Sequence, residues 1–104
     1  MPIYTVVQLG TGALSTTLTT TLVTIASGTT TIVTSISLCN TNTTTARNVT
    51  MDINSRKILS ARPLAAGETL IIQGSFVMSA AQLIRGGQDT GTDVEYVISG
   101  VNIT

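Results

Sequence analysis

The chain has 104 residues, the size of a single domain large enough to bury a real core. Hydrophobic residues make up 42% of it and charged residues only 10%, with five basic and five acidic side chains cancelling to a net charge of zero. That balance excludes a disordered segment, and it leaves no basic field to neutralise phosphates, so nucleic acid is not an expected partner.

The opening run Ile3 to Leu9 is strand-like and apolar on both faces, and Gly10-Thr11-Gly12 breaks it. Two readings fit these residues. They form a buried first strand, or an arm that reaches onto a neighbouring subunit and adds a strand at an exposed edge. Ile3, Tyr4, Val6, Val7 and Leu9 are therefore the candidate subunit interface. Residues 1–17 read as this N-terminal strand or arm, and residues 18–104 as a single β-sandwich domain.

Leu14, Leu18, Leu22 and Ile25 recur at helical spacing, but the threonines between them are poor helix formers, so an extended segment with a strand at Leu22 to Ala26 is expected. Ser27-Gly28-Thr29 is a turn. Ile32, Thr34, Ile36 and Leu38 then alternate with Val33, Ser35, Ser37 and Cys39, which places the first set on one face of a strand. After the polar turn Asn40 to Thr45, Val49, Met51 and Ile53 form a strand with one wet face. Asn54-Ser55 turns the chain into a short strand at Lys57 to Ala61, and Pro63 marks a loop or an edge. Gly67 closes the next turn, before a strand at Thr69 to Ile72.

The string VMSAAQLIR echoes this pattern loosely, with a turn and a strand at Leu83 to Arg85, and Gly86 to Gly91 reads as a loop. In the last strand Val94, Tyr96 and Ile98 share a face. Beyond Gly100 the apolar set shifts to Val101 and Ile103, which suits a bulge at the glycine. The expected core is Ile36, Leu38, Val49, Met51, Ile53, Leu70, Val94, Tyr96 and Ile98. About eight short strands with turn signals between them, and no convincing helix, predict an all-β, antiparallel β-sandwich of jelly-roll-like form.

Little in the sequence offers chemistry. There is no histidine, so the commonest general base and zinc ligand is missing, and Cys39 as the only cysteine can form no internal disulfide and has no partner base. No phosphate-binding glycine loop occurs. Asp89-Thr90-Gly91 matches the aspartic-protease triplet, but Gly86-Gly87-Gln88 precedes it where that family has a core strand. Asp89, Asp93 and Glu95 are too few and too irregular for calcium, which takes six to eight oxygen ligands. The chain is expected to be no enzyme and to hold no cofactor or metal.

No stretch reaches the roughly 18 apolar residues of a membrane span, and the first residues carry no basic, cleavable signal, so no membrane and no secretion is expected. That weighs against a pilin-like or secreted coat protein. Threonine is about a fifth of the chain; it wets the outer face of a sheet without charge. A neutral surface with a mean hydropathy of +0.43 is poorly protected against self-association, so a homo-oligomer is expected.

The stretch LVTIASGTTTIVTSISLCNTNTTTARNVTMDI, followed by LAAGETLII and VEYVISGVNI, resembles a diffuse group of small β-sandwich bacteriophage virion proteins of the head-decoration (cement) type. The resemblance covers roughly Leu22 to Ile103 and brings no catalytic residues. It implies a virion protein assembled in the host bacterial cytoplasm, commonly a trimer, which binds the major capsid protein and bridges capsomers, and it makes Ile3, Tyr4, Val6, Val7 and Leu9 a candidate subunit or capsid interface. The alternative is a tail, collar or fibre module recognising a receptor or glycan; glycan sites usually offer exposed aromatics, and this chain has only Tyr4, Phe76 and Tyr96, the last two expected in the core.

Overall fold

In a computed structural model, which describes residues 2–104, eight strands form two four-stranded antiparallel sheets. They are β1 (Tyr4–Ala13), β2 (Thr21–Thr24), β3 (Thr30–Asn40), β4 (Arg47–Ile53), β5 (Arg56–Leu64), β6 (Thr69–Met78), β7 (Leu83–Gln88) and β8 (Val94–Ile103). The described residues contain no helix. The first sheet has the order β1-β8-β3-β6 and the second β2-β7-β4-β5. Four of the pairings are nested: β4 with β5, β3 with β6, β2 with β7, β1 with β8. This is one long hairpin folded over itself, the topology of a jelly roll.

The inner faces of the two sheets bury Leu14, Val23, Ile25, Val33, Ile36, Leu38, Val49, Met51, Leu64, Met78, Ile84, Val94, Tyr96 and Ile98. Seven of the nine expected core residues are among them; Ile53 and Leu70 are half-buried and pack against the cluster. Phe76 does the same.

Local chemistry explains the turns. Asn54 (φ 50°) and Ser55 (φ 64°) both adopt the left-handed region, making a two-residue β4–β5 hairpin turn whose twist matches the flanking strands. The echo between LAAGE and MSAAQ is structural. In Ala65 to Glu68, the Ala65 N–H donates to the Glu68 Oε1 (2.8 Å) and the Glu68 N–H to the Ala65 carbonyl (2.9 Å). In Ser79 to Gln82, the Ser79 N–H donates to the Gln82 Oε1 (2.9 Å) and the Gln82 N–H to the Ser79 carbonyl (3.2 Å). The left-handed residue is Gly67 (φ 73°) in one turn and Ala81 (φ 68°) in the other.

Four expectations need correction. The expected wet face of β4 is covered, with Thr50 and Asp52 buried. Val33 is fully buried while Ile32 is only half-buried, because an irregularity at Thr34 in β3 flips the alternation between Val33 and Ser35. β8 itself runs straight through Gly100. The bulges lie in its neighbours, at Leu9 in β1 and Thr34 in β3, both beside Ser99. Val101 and Ile103 are apolar because the outer face of the sheet is apolar there. Finally, Gly86 and Gly87 are strand residues of β7. A Cβ on Gly87 would lie 2.5 Å from the Thr17 carbonyl oxygen and 2.9 Å from that of Ser15, so this glycine admits the crossing chain.

Two buried amides tie the loops at one end of the sandwich. The Asn40 Nδ2 donates to the carbonyls of Thr45 (3.0 Å), Leu64 (3.1 Å) and Ala65 (3.3 Å), and its Oδ1 accepts from the Asn42 N–H (3.0 Å). The Gln88 Nε2 donates to the carbonyls of Leu14 and Gly91 (2.7 Å each), and its Oε1 accepts from the Val94 N–H (3.2 Å). Both amides are fully buried and fully paired, which turns a desolvation cost into a constraint on loop geometry.

Candidate assembly surface

The candidate interface run forms the upper part of β1, an edge strand paired with β8 from Tyr4 opposite Ile103 to Ala13 opposite Glu95. Ile3 prolongs that ladder by exchanging main-chain hydrogen bonds with Thr104 (2.9 and 3.0 Å). The five candidate residues divide. Tyr4 and Val6 lie on the outer face, 67% and 84% exposed; Ile3 alternates to the other face and is exposed as well. Val7 and Leu9 are half-buried, Leu9 against the core, and they line a cleft of about 280 Å³ with Val23 to Ala26, Thr29, Thr31 and Asn102. Inside it the Thr31 hydroxyl donates to the Asn102 Oδ1 at 2.7 Å.

Register brings further residues to the outer face that the sequence did not single out. Val6 is opposite Val101, Val101 opposite Ile32, and Ile32 opposite Val77, so four apolar side chains cross the whole first sheet in one row. Tyr4 and Ile103 form the start of a parallel row above it. Further down the same face, Thr11, Val97, Ser37 and Ile71 make another row, with Val97 and Ile71 exposed. The ends are barest: Val6 on β1 and Val77, 65% exposed, on β6, while Val101 and Ile32 between them are half-buried. The shift of the apolar set at Gly100 signalled part of this face; Ile32 and Val77 required the strand order.

Charge is absent from these rows. Arg47 is committed to Asp93 through its Nε (2.9 Å) and a terminal nitrogen (2.7 Å), and the Asn42 Nδ2 donates to the same carboxylate oxygen (3.1 Å). The Asn42 and Arg47 hydrogen bonds hold the Asp93 carboxyl below the ordinary aspartate range. Arg85 grips buried Asp52 with two bonds of 3.0 Å, which raises the guanidinium pKa. Asp89 Oδ1 accepts the main-chain N–H groups of Asn48 (3.1 Å) and Thr90 (3.0 Å), so it caps its own loop. No group of three or more acidic or cysteine side chains suited to hold a metal occurs among the described residues.

No family model matches the chain, and no curated protein matches it in sequence. Its fold is similar to that of a chain in the structure titled "Acidic stable capsid structure of Helicobacter pylori bacteriophage KHP30". That likeness has a TM-score of 0.52 at 11% identity and spans 98% of this chain and 94% of the other. The two share a fold over almost their whole lengths. A weaker likeness, TM-score 0.36 at 15% identity, is to a Podospora anserina GH26-CBM35 β-(1,4)-mannanase, of which this chain spans 27%.

Proposed function

We propose that the chain is a structural protein of a bacteriophage virion and, within that class, a head-decoration (cement) protein. The observation that carries this reading is the fold likeness to a phage capsid chain, end to end on both sides. The uncharged apolar rows of the first sheet support it, since they suit contact rather than chemistry. On this reading the protein is no enzyme and needs no cofactor. Homotrimers sit on the head and contact neighbouring copies of the major capsid protein. They stabilise the shell because only the assembled lattice offers the complete site, so binding favours the assembled state by mass action.

Quantitative mass spectrometry of purified virions tests the assignment. Many copies per head are expected, together with heads that rupture at lower temperature when they lack the protein and recover when the purified chain is added back. A dozen or fewer copies per particle, or heads indifferent to its removal, would overturn it.

A further inference from the structure

Antiparallel strands alternate between residues whose main-chain groups face one neighbour and residues whose groups face the other. Ile3 exchanges bonds with Thr104, so Thr5 and Val7 also face β8, and the N–H and C=O groups of Tyr4, Val6 and Gln8 point away from the sheet. On β6, the Asn40 N–H donates to the Glu68 carbonyl (2.9 Å) and the Gly67 N–H to the Asn40 carbonyl (3.1 Å). Leu70 and Ile72 therefore face β3, and Thr69, Ile71 and Gln73 open outward. Above the bulge, the alternation carried across β8 and β3 turns Val77 outward too.

Both edges of the first sheet are thus ten-residue strands with neither charge nor proline. The second sheet is different. Its edge β5 carries Arg56, Lys57, Arg62 and Pro63 and a kink at Ala61 (φ 48°), and its other edge, β2, has four residues. Those are the usual devices that block edge pairing, and the first sheet has them on neither side beyond its local bulges.

We infer that β1 of one copy pairs with β6 of a second copy of this chain, so that the first sheet continues from molecule to molecule. The order β1-β8-β3-β6, antiparallel throughout, leaves β1 and β6 running in opposite directions, so a copy standing in the same orientation presents β1 antiparallel to β6. Level rows then place Val6 beside Val77 and Thr11 beside Ile71, and the apolar row runs on without a break. Neither edge brings a like charge against the other. Pairing β1 with another β1 would leave Val77 and Ile71 bare, whereas the heterologous contact covers both ends and, in a closed ring, uses both edges of every copy. This deepens the reading of a self-assembling virion part but stands on the sheet edges alone.

The experiment uses the purified chain without any capsid, so its failure and a failure of head binding are separate results. Sedimentation velocity over a dilution series compares the wild type with V6K, V77E and the combined V6K/V77E variant, and circular dichroism checks that each melts as a folded protein. A discrete oligomer is expected for the wild type. Each single charge should weaken association by about ten-fold or more, and the combined variant should regain it, because opposite charges meet only where β1 faces β6. A wild type that is monomeric at micromolar concentration, single variants that assemble normally, or a combined variant no better than the singles would overturn the inference.

Discussion

Ala81 holds a backbone conformation that costs an L-residue free energy, and the equivalent position of the sister turn is Gly67. Ala81→Gly should therefore stabilise the protein by about 0.5–1 kcal/mol, the strain removed being partly offset by glycine's larger unfolded-state entropy. A thermal midpoint a few degrees higher checks it; a lower one would mean that the turn carries no strain at Ala81. Asp93 makes stability depend on acid. Its folded pKa lies below its unfolded value, so its contribution is complete above the ordinary aspartate range of about 4 and disappears as pH falls through the folded pKa. Asp93→Asn should thus flatten the fall of the melting midpoint below about pH 4, and an unchanged acid limb would show that the Asn42–Arg47–Asp93 cluster contributes nothing. At this scale the sequence was partly readable. Inward residues such as Ile36 and Tyr96 follow from alternation alone, but Val33 and Ile32 exchange faces at a bulge for which the residues Val33-Thr34-Ser35 give no sign. Gly87 looks like a turn glycine until the chain that crosses it, Ser15 to Leu18, is in place.

Among the elements, β1 is the one whose character the residues left open. A run apolar on both faces suits a buried strand, an arm or an edge equally, since what distinguishes them is the company on each side. The fold puts the Tyr96 ring over Gly10 and Gly12 and packs Leu9 against the core, while Tyr4 and Val6 face outward. Deleting residues 1–12 should then strip β8 of one of its two partners and uncover Tyr96, lowering the thermal midpoint by far more than a typical single substitution does. Calorimetry on the truncated chain decides this, and a transition left intact would return the run to the role of a detachable arm. Pro63 shows the opposite case. It predicted a loop or an edge from chemistry alone, and it lies in the edge strand β5. Proline's missing N–H is a local fact, whereas the partner of an apolar strand is not.

For the whole molecule, strand count and sheet class were legible because turns and alternation are local, and the order of strands was not, because phase carries no information about which strand lies beside which. The candidate surface shares that limit: half of its apolar row comes from β3 and β6, distant in sequence from β1. The nested pairing has a consequence in time. The β4–β5 hairpin closes through a two-residue turn, whereas β1 meets β8 only across nearly the full chain, and long closures cost more entropy before any contact repays it. Folding should therefore zip outward from the middle. Destabilising substitutions in the β4–β5 hairpin should slow refolding, and those between β1 and β8 should mainly speed unfolding, which stopped-flow kinetics on the two sets can compare. Equal effects on both rates would point to a diffuse nucleus. On the ribosome the same order means that β1, made first, must wait for β8, made last. Until then its bare edge is exposed to other nascent copies as well as to its own chain, and the rate of synthesis becomes one of the factors that decide between folding alone and joining a neighbour.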